Sequence, residues 1–143
     1  MTLAISPGVY MQTRRKQILC FCYDSNMLQV RRMLLEHFGY NVLSTNSVEE
    51  AKKIVKRHCP DMLLMDDNDT SNEFVELAEQ IKVMCPDVIT VMLSPYYYAG
   101  PNGANRAIDR VVAKADGPDV LLAQIEELLG AQGEPSNTAP PPM

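Results

Sequence analysis

The chain has 143 residues, 46% of them hydrophobic and 22% charged, with a formal net charge of -5. That is enough for one domain with a sizeable core, and the acidic balance argues against a nucleic-acid-binding surface. No apolar run approaches the ~20 residues of a membrane span, and Met1 to Gln12 lacks the charged-then-apolar order of a signal peptide, so a cytoplasmic protein is expected.

Residues 1–15 read as a flexible lead-in, and the basic cluster Arg14, Arg15, Lys16 as its solvated end. Gln17 to Cys22 is a strand-like apolar run, with Cys20 and Cys22 two apart and therefore on one face. Met27 to Phe38 reads as a helix whose apolar face is Met27, Val30, Leu34 and Phe38; Gly39 stops it. Tyr40 to Ser44 is a short second strand. Ser47 and Glu50 form a capping box for the next helix, with Ala51, Ile54 and Val55 as its stripe.

A near-repeat follows. "CPDMLLM" at 59–65 and "CPDVITVML" at 85–93 each place Cys-Pro-Asp directly ahead of an unalternating apolar run. Such runs fit parallel strands covered on both faces. Between them a helix is expected from about Asn72 to Met84, with Phe74, Leu77, Ile81 and Met84 inward and Thr70 and Glu73 as its capping pair. After the loop "SPYYYAGPNG" come a short helix near Ala104 to Asp109 and a strand, Val111 to Lys114. The last helix opens at Gly117-Pro118 and carries Leu121, Ile125 and Leu128. Residues 131–143 read as a disordered tail. The expected domain is therefore 16–130. Strict β/α alternation in so short a chain predicts an α/β fold, a doubly wound sheet of five parallel strands with five helices.

In such sheets, ligands bind beyond the carboxyl ends of the strands. That edge receives Asp24, then Asp66 and Asp67, then Ser94, then Lys114. Asp66, Asp67 and Asp69 repel one another at a core edge unless a cation or a reaction partner offsets them. No glycine-rich phosphate loop is present, which speaks against nucleotide binding. His37 and His58 lie late in helices, away from this edge, and read as helix-end groups. With no CxxC pair, a zinc site is not expected, and all four cysteines read as small buried apolar residues or loop-end thiols.

From about Lys16 to Leu129 the chain resembles a response-regulator receiver domain of bacterial two-component phosphorelays. The resemblance rests on "FGYNV", "PDMLLMD", "VITVMLS" and "VVAK" in that order and near the family's spacing. Each motif is weak alone; their ordered combination is specific. The resemblance implies a flavodoxin-like sheet of strand order 2-1-3-4-5. It implies that Asp66 accepts a phosphoryl group, that Ser94 bonds a phosphoryl oxygen, and that Lys114 pairs with the carboxylate and then the phosphate. It implies Mg²⁺ as cofactor, with Asp66 and the Asn68 backbone carbonyl among its ligands. The implied partners are a histidine kinase or phosphotransfer protein and an output protein, with room for a homodimer through the fourth and fifth helices. The chain is then a signalling protein and not an enzyme.

Three departures are visible. Cys22 and Tyr23 stand where the family has an acid pair, and neither thiol nor phenol suits a hard cation. Asp24 substitutes for them as a metal ligand if the strand end is bulged; otherwise it caps the first helix. Val111 replaces the family's aromatic switch residue, and Ala115 its proline. Tyr96, Tyr97 and Tyr98 read either as loop packing or as a partner-binding patch. Three functions stay open: a phosphorylated switch, a pseudo-receiver that binds partners without phosphorylation, and a small metal-dependent phosphatase.

Overall fold

The most apolar runs of the chain become strands at the centre of a sheet. The structure, a computed structural model, describes residues 15–66, 73–94 and 107–130. In chain order these form β1 (Gln17–Phe21), α1 (Ser25–His37), β2 (Asn41–Thr45), α2 (Val48–Arg57), β3 (Met62–Asp66), α3 (Glu73–Met84), β4 (Ile89–Ser94), β5 (Arg110–Ala113), a 3-10 turn (Lys114–Asp116) and α4 (Gly117–Gly130). The five strands are parallel and lie in the order β2-β1-β3-β4-β5. Residues 1–14 of the 1–15 lead-in, the tail 131–143 and Tyr96 to Tyr98 lie outside the described residues.

Alternation along the strands sorts side chains into two cores. Ile18, Cys20, Met62, Leu64, Val91, Leu93 and Val112 face α1 and α4, which bring Leu35, Leu121, Ile125 and Leu129. Leu19, Phe21, Leu63, Met65 and Met92 face α2 and α3, which bring Ala51, Val55, Phe74, Leu77, Ala78 and Ile81. β3 is buried along its whole length, as a central strand covered on both faces must be. Each fully buried Leu or Ile there contributes about 1.5–3 kcal/mol relative to exposure.

Four α-helices are found among the described residues, one fewer than expected. Ala107 lies in a turn, and Ile108 and Asp109 lead straight into β5, so the segment expected to be helical near 104–109 is not helical where it is described. Asp109 instead accepts from the Thr90 backbone N–H (2.8 Å) and pairs with Lys82 (2.6 Å). Lys114 begins the 3-10 turn rather than ending β5.

α1 corrects a second expectation. Of its regular stripe, Met27, Val30 and Phe38 are exposed and Leu34 is half-buried; Met33 is exposed beside them. The side turned to the sheet carries Leu28, Arg31 and Leu35, of which Leu35 is fully buried. Positions 28, 31 and 35 are spaced as neighbours on one helical face.

The Cys-Pro-Asp repeat has a structural outcome that the cysteine reading missed. β3 and β4 are adjacent, with Met62 opposite Ile89. Their entry points therefore lie side by side, and Cys59 and Cys85 meet at a Cα–Cα distance of 5.8 Å, joined as a disulfide. Asp61, in the first copy, accepts from the Gln17 backbone N–H at 2.8 Å and so holds the start of β1. Cys20 and Cys22 are free and buried, as expected.

Candidate functional site

Asp66 ends β3 and is 2% exposed. Strand alternation sends its side chain to the same side as Met62 and Leu64, toward α1. Cys20 and Cys22 on the neighbouring β1 side share that face, and Cys22 Sγ donates to Asp66 Oδ2 at 3.5 Å. Arg31 reaches in from the second turn of α1, its Nη1 2.6 Å from the same Oδ2. The Lys114 ammonium, just past β5, forms an ion pair with Oδ1. A carboxylate taken out of water is thus held by two cations from two different elements, which offsets its desolvation.

The thiols beside it are kept neutral. Burial pushes Cys20 up to about 12; Arg31 opposes this and Asp66 adds to it. Cys22 is also raised, by burial first, with the Asp24 backbone opposing and Asp66 adding.

The remaining candidates divide. Ser94 ends β4 one residue past Leu93, the register partner of Asp66, and is opposite Ala113, the neighbour of Lys114. So Asp66, Ser94 and Lys114 arrive at one edge. Asp24 does not join them: it is the N-cap of α1, its Oδ1 accepting from the backbone N–H groups of Asn26 (2.9 Å) and Met27 (3.2 Å). Tyr23 turns to the opposite face, its ring against Phe21 and Phe74 and its hydroxyl donating to Glu73 at 2.6 Å. Val111 packs half-buried on the core beneath α2 and α3. Asp67, Asn68 and Asp69 lie outside the described residues. Sequence reasoning missed Arg31. Its signal is the spacing of Leu28, Arg31 and Leu35, a basic residue within an inward-facing row.

No sequence-family model matches the chain, and no curated protein does. Solved structures do. A CheY-like response regulator receiver domain protein from Methanospirillum hungatei superposes with a TM-score of 0.73 at 25% identity, over 83% of this chain and 97% of that one. The chain has the receiver-domain fold. A Thermotoga maritima response regulator in complex with Mg²⁺ and BeF superposes at 0.69 with 23% identity, over 79% and 98% of the two chains. A Burkholderia pseudomallei response regulator with a phosphorylated aspartic acid and a calcium ion superposes at 0.64 with 21% identity, over 90% and 77%.

The receiver fold carries an expectation of Mg²⁺ that the described side chains do not meet. Among them, no group of three His, Cys, Asp or Glu residues is placed to hold a metal ion. Cys22 is a neutral thiol, Tyr23 points elsewhere, and the Asp24 carboxylate is used as a cap. No helix among the described residues is long and apolar enough to cross a membrane.

Proposed function

We propose that the chain is a receiver module of a two-component phosphorelay, in which Asp66 takes a phosphoryl group from a histidine kinase or phosphotransfer protein and a protein partner reads the result. The observation that carries this reading is the ion pair between Asp66 and Lys114 at the carboxyl edge of a receiver-type sheet, with Ser94 ending the strand between them. The Asp66 carboxylate attacks phosphorus in line, the bond from phosphorus to the donor's imidazole nitrogen breaks, and an acyl phosphate forms. Lys114, a compact cation on a flexible stem, moves from carboxylate to phosphoryl oxygen, and Ser94 donates its hydroxyl to another. The chain's role is signalling through contact, not turnover.

The experiment is incubation with acetyl phosphate, then intact-mass measurement under conditions that preserve acyl phosphates. One phosphoryl adduct, absent in Asp66→Asn, is expected. No adduct from acetyl phosphate or from phosphorylated histidine kinases would favour the second reading, a phosphorylation-independent interaction module. A specific observation supports that alternative: both Asp66 oxygens already face a cation of the protein's own.

A further inference from the structure

We infer that Arg31 takes the place of a divalent cation at Asp66, so that this centre is neutralised by the chain's own side chains and takes no Mg²⁺. This rests on the reading of Asp66 as the receiver centre and goes beyond it by fixing what the centre excludes.

The charge count comes first. Asp66 brings one negative charge; Arg31 and Lys114 bring two positive ones. These three side chains in direct contact already sum to one positive charge before any ion arrives. A divalent cation entering beside a guanidinium in a site shielded from water meets strong repulsion, since low local dielectric magnifies like-charge contacts as much as attractive ones.

Geometry agrees with charge. The 2.6 Å separation of Arg31 Nη1 from Oδ2 is that of a short, charge-assisted hydrogen bond. The Arg31 side chain is mostly buried, so this contact is not a surface pairing that solvent dissolves. The guanidinium occupies Oδ2 and the Lys114 ammonium Oδ1. To admit a metal ion, α1 must release its arginine.

Ligand chemistry closes the argument. Mg²⁺ holds octahedral oxygen ligands and gives up its water reluctantly. At the end of β1 it would meet a buried thiol at Cys22, which donates to Oδ2 rather than supplying an acceptor. Beyond it the Tyr23 hydroxyl is bound to Glu73, and the Asp24 carboxylate is committed to two backbone N–H groups of α1. No acid pair ends β1 beside Arg31, since Cys22 and Tyr23 stand there. Without one, an arginine is the residue suited to a buried carboxylate, being permanently charged and weakly hydrated.

The test uses the full chain and Mn²⁺ as a paramagnetic probe of a Mg²⁺ site. Wild-type protein should leave the free Mn²⁺ resonance amplitude unchanged, and MgCl₂ should not shift its melting temperature. The combined variant Arg31→Ala, Cys22→Asp, Tyr23→Asp should bind Mn²⁺, and adding Asp66→Asn should abolish that binding. Wild-type binding that disappears in Asp66→Asn overturns the inference. So does a combined variant that is folded by circular dichroism yet fails to bind, because Arg31 would then not be what excludes the ion. If that variant does not fold, the wild-type arm decides alone. Acetyl phosphate labelling in EDTA and in Mg²⁺ separates this inference from the receiver reading. Equal labelling in both supports the two together. Labelling that requires Mg²⁺ overturns the inference and keeps the phosphoacceptor. No labelling with no Mn²⁺ binding keeps the inference and removes the phosphoacceptor.

Discussion

Reducing the Cys59–Cys85 disulfide should destabilise the protein without changing its fold. The bond joins residues 26 apart and closes a loop that contains all of β3 and α3. Opening it frees the unfolded chain more than the native one. The loop-closure relation gives about 3.5 kcal/mol at 25 °C for a loop of that length. A domain of this size has roughly 5–15 kcal/mol of total stability, so the loss is a large fraction of it. Urea unfolding followed by far-ultraviolet circular dichroism, with and without reductant, measures it directly; the chain has no Trp to serve as a fluorescence probe. The midpoint should fall on reduction. The denaturant slope should rise slightly, because the uncrosslinked unfolded state exposes more surface. Cys59→Ala with Cys85→Ala should reproduce the shift and become insensitive to reductant. Coincident oxidised and reduced curves would refute the reasoning. The result also bears on compartment, since a reducing cytoplasm would keep this bond open.

Three other outcomes follow from the site. Arg31→Met should cost about 3 kcal/mol, because it removes one partner of a buried pair, and a double-mutant cycle with Asp66→Asn should show strong coupling by urea midpoint. Tyr23 is raised from its ordinary value of 10.0 to about 12 by partial burial and then by donation to Glu73, which favour the neutral phenol in the folded state. Its contribution is therefore complete below pH 10 and is lost as pH rises through about 12; melting across this range should lose that dependence in Tyr23→Phe. Finally, Cys20 and Cys22 should resist a thiol reagent at neutral pH and react together on unfolding, since burial keeps both protonated.

The sheet was legible because its signals agree: apolar runs of strand length alternate with capped helical segments. At Ser47 the cap was readable too, and its hydroxyl accepts from the Glu50 backbone N–H at 3.2 Å. The Glu50 carboxylate goes instead to Thr45, which no local pattern announces. The buried face of α1 is not legible in the sequence, for a physical reason. Its outward residues are more apolar than its inward ones, so periodicity alone picks the wrong side, and an inward arginine looks like solvent. The disulfide was illegible because a separation of 26 residues is no motif; it becomes a contact only once β3 and β4 are neighbours in register. Asp24 was ambiguous in sequence because one carboxylate serves equally as a cap or a ligand, and only the turn into α1 decides.

α1 has a mechanical consequence. It is a rod of 13 residues, about 20 Å long, that sets Leu35 fully into the sheet while Val30 and Met33 stand 59% and 61% exposed on its far side. Leu35 and the Arg31–Asp66 pair hold it to the sheet from the same face. Arg31 is the seventh of the 13 residues, so the fastening lies at mid-length, and a change of charge at the tip of β3 acts on it directly. A rod pinned at its middle shifts as a whole when the pin is loosened, so Val30 and Met33 on its far side move with it.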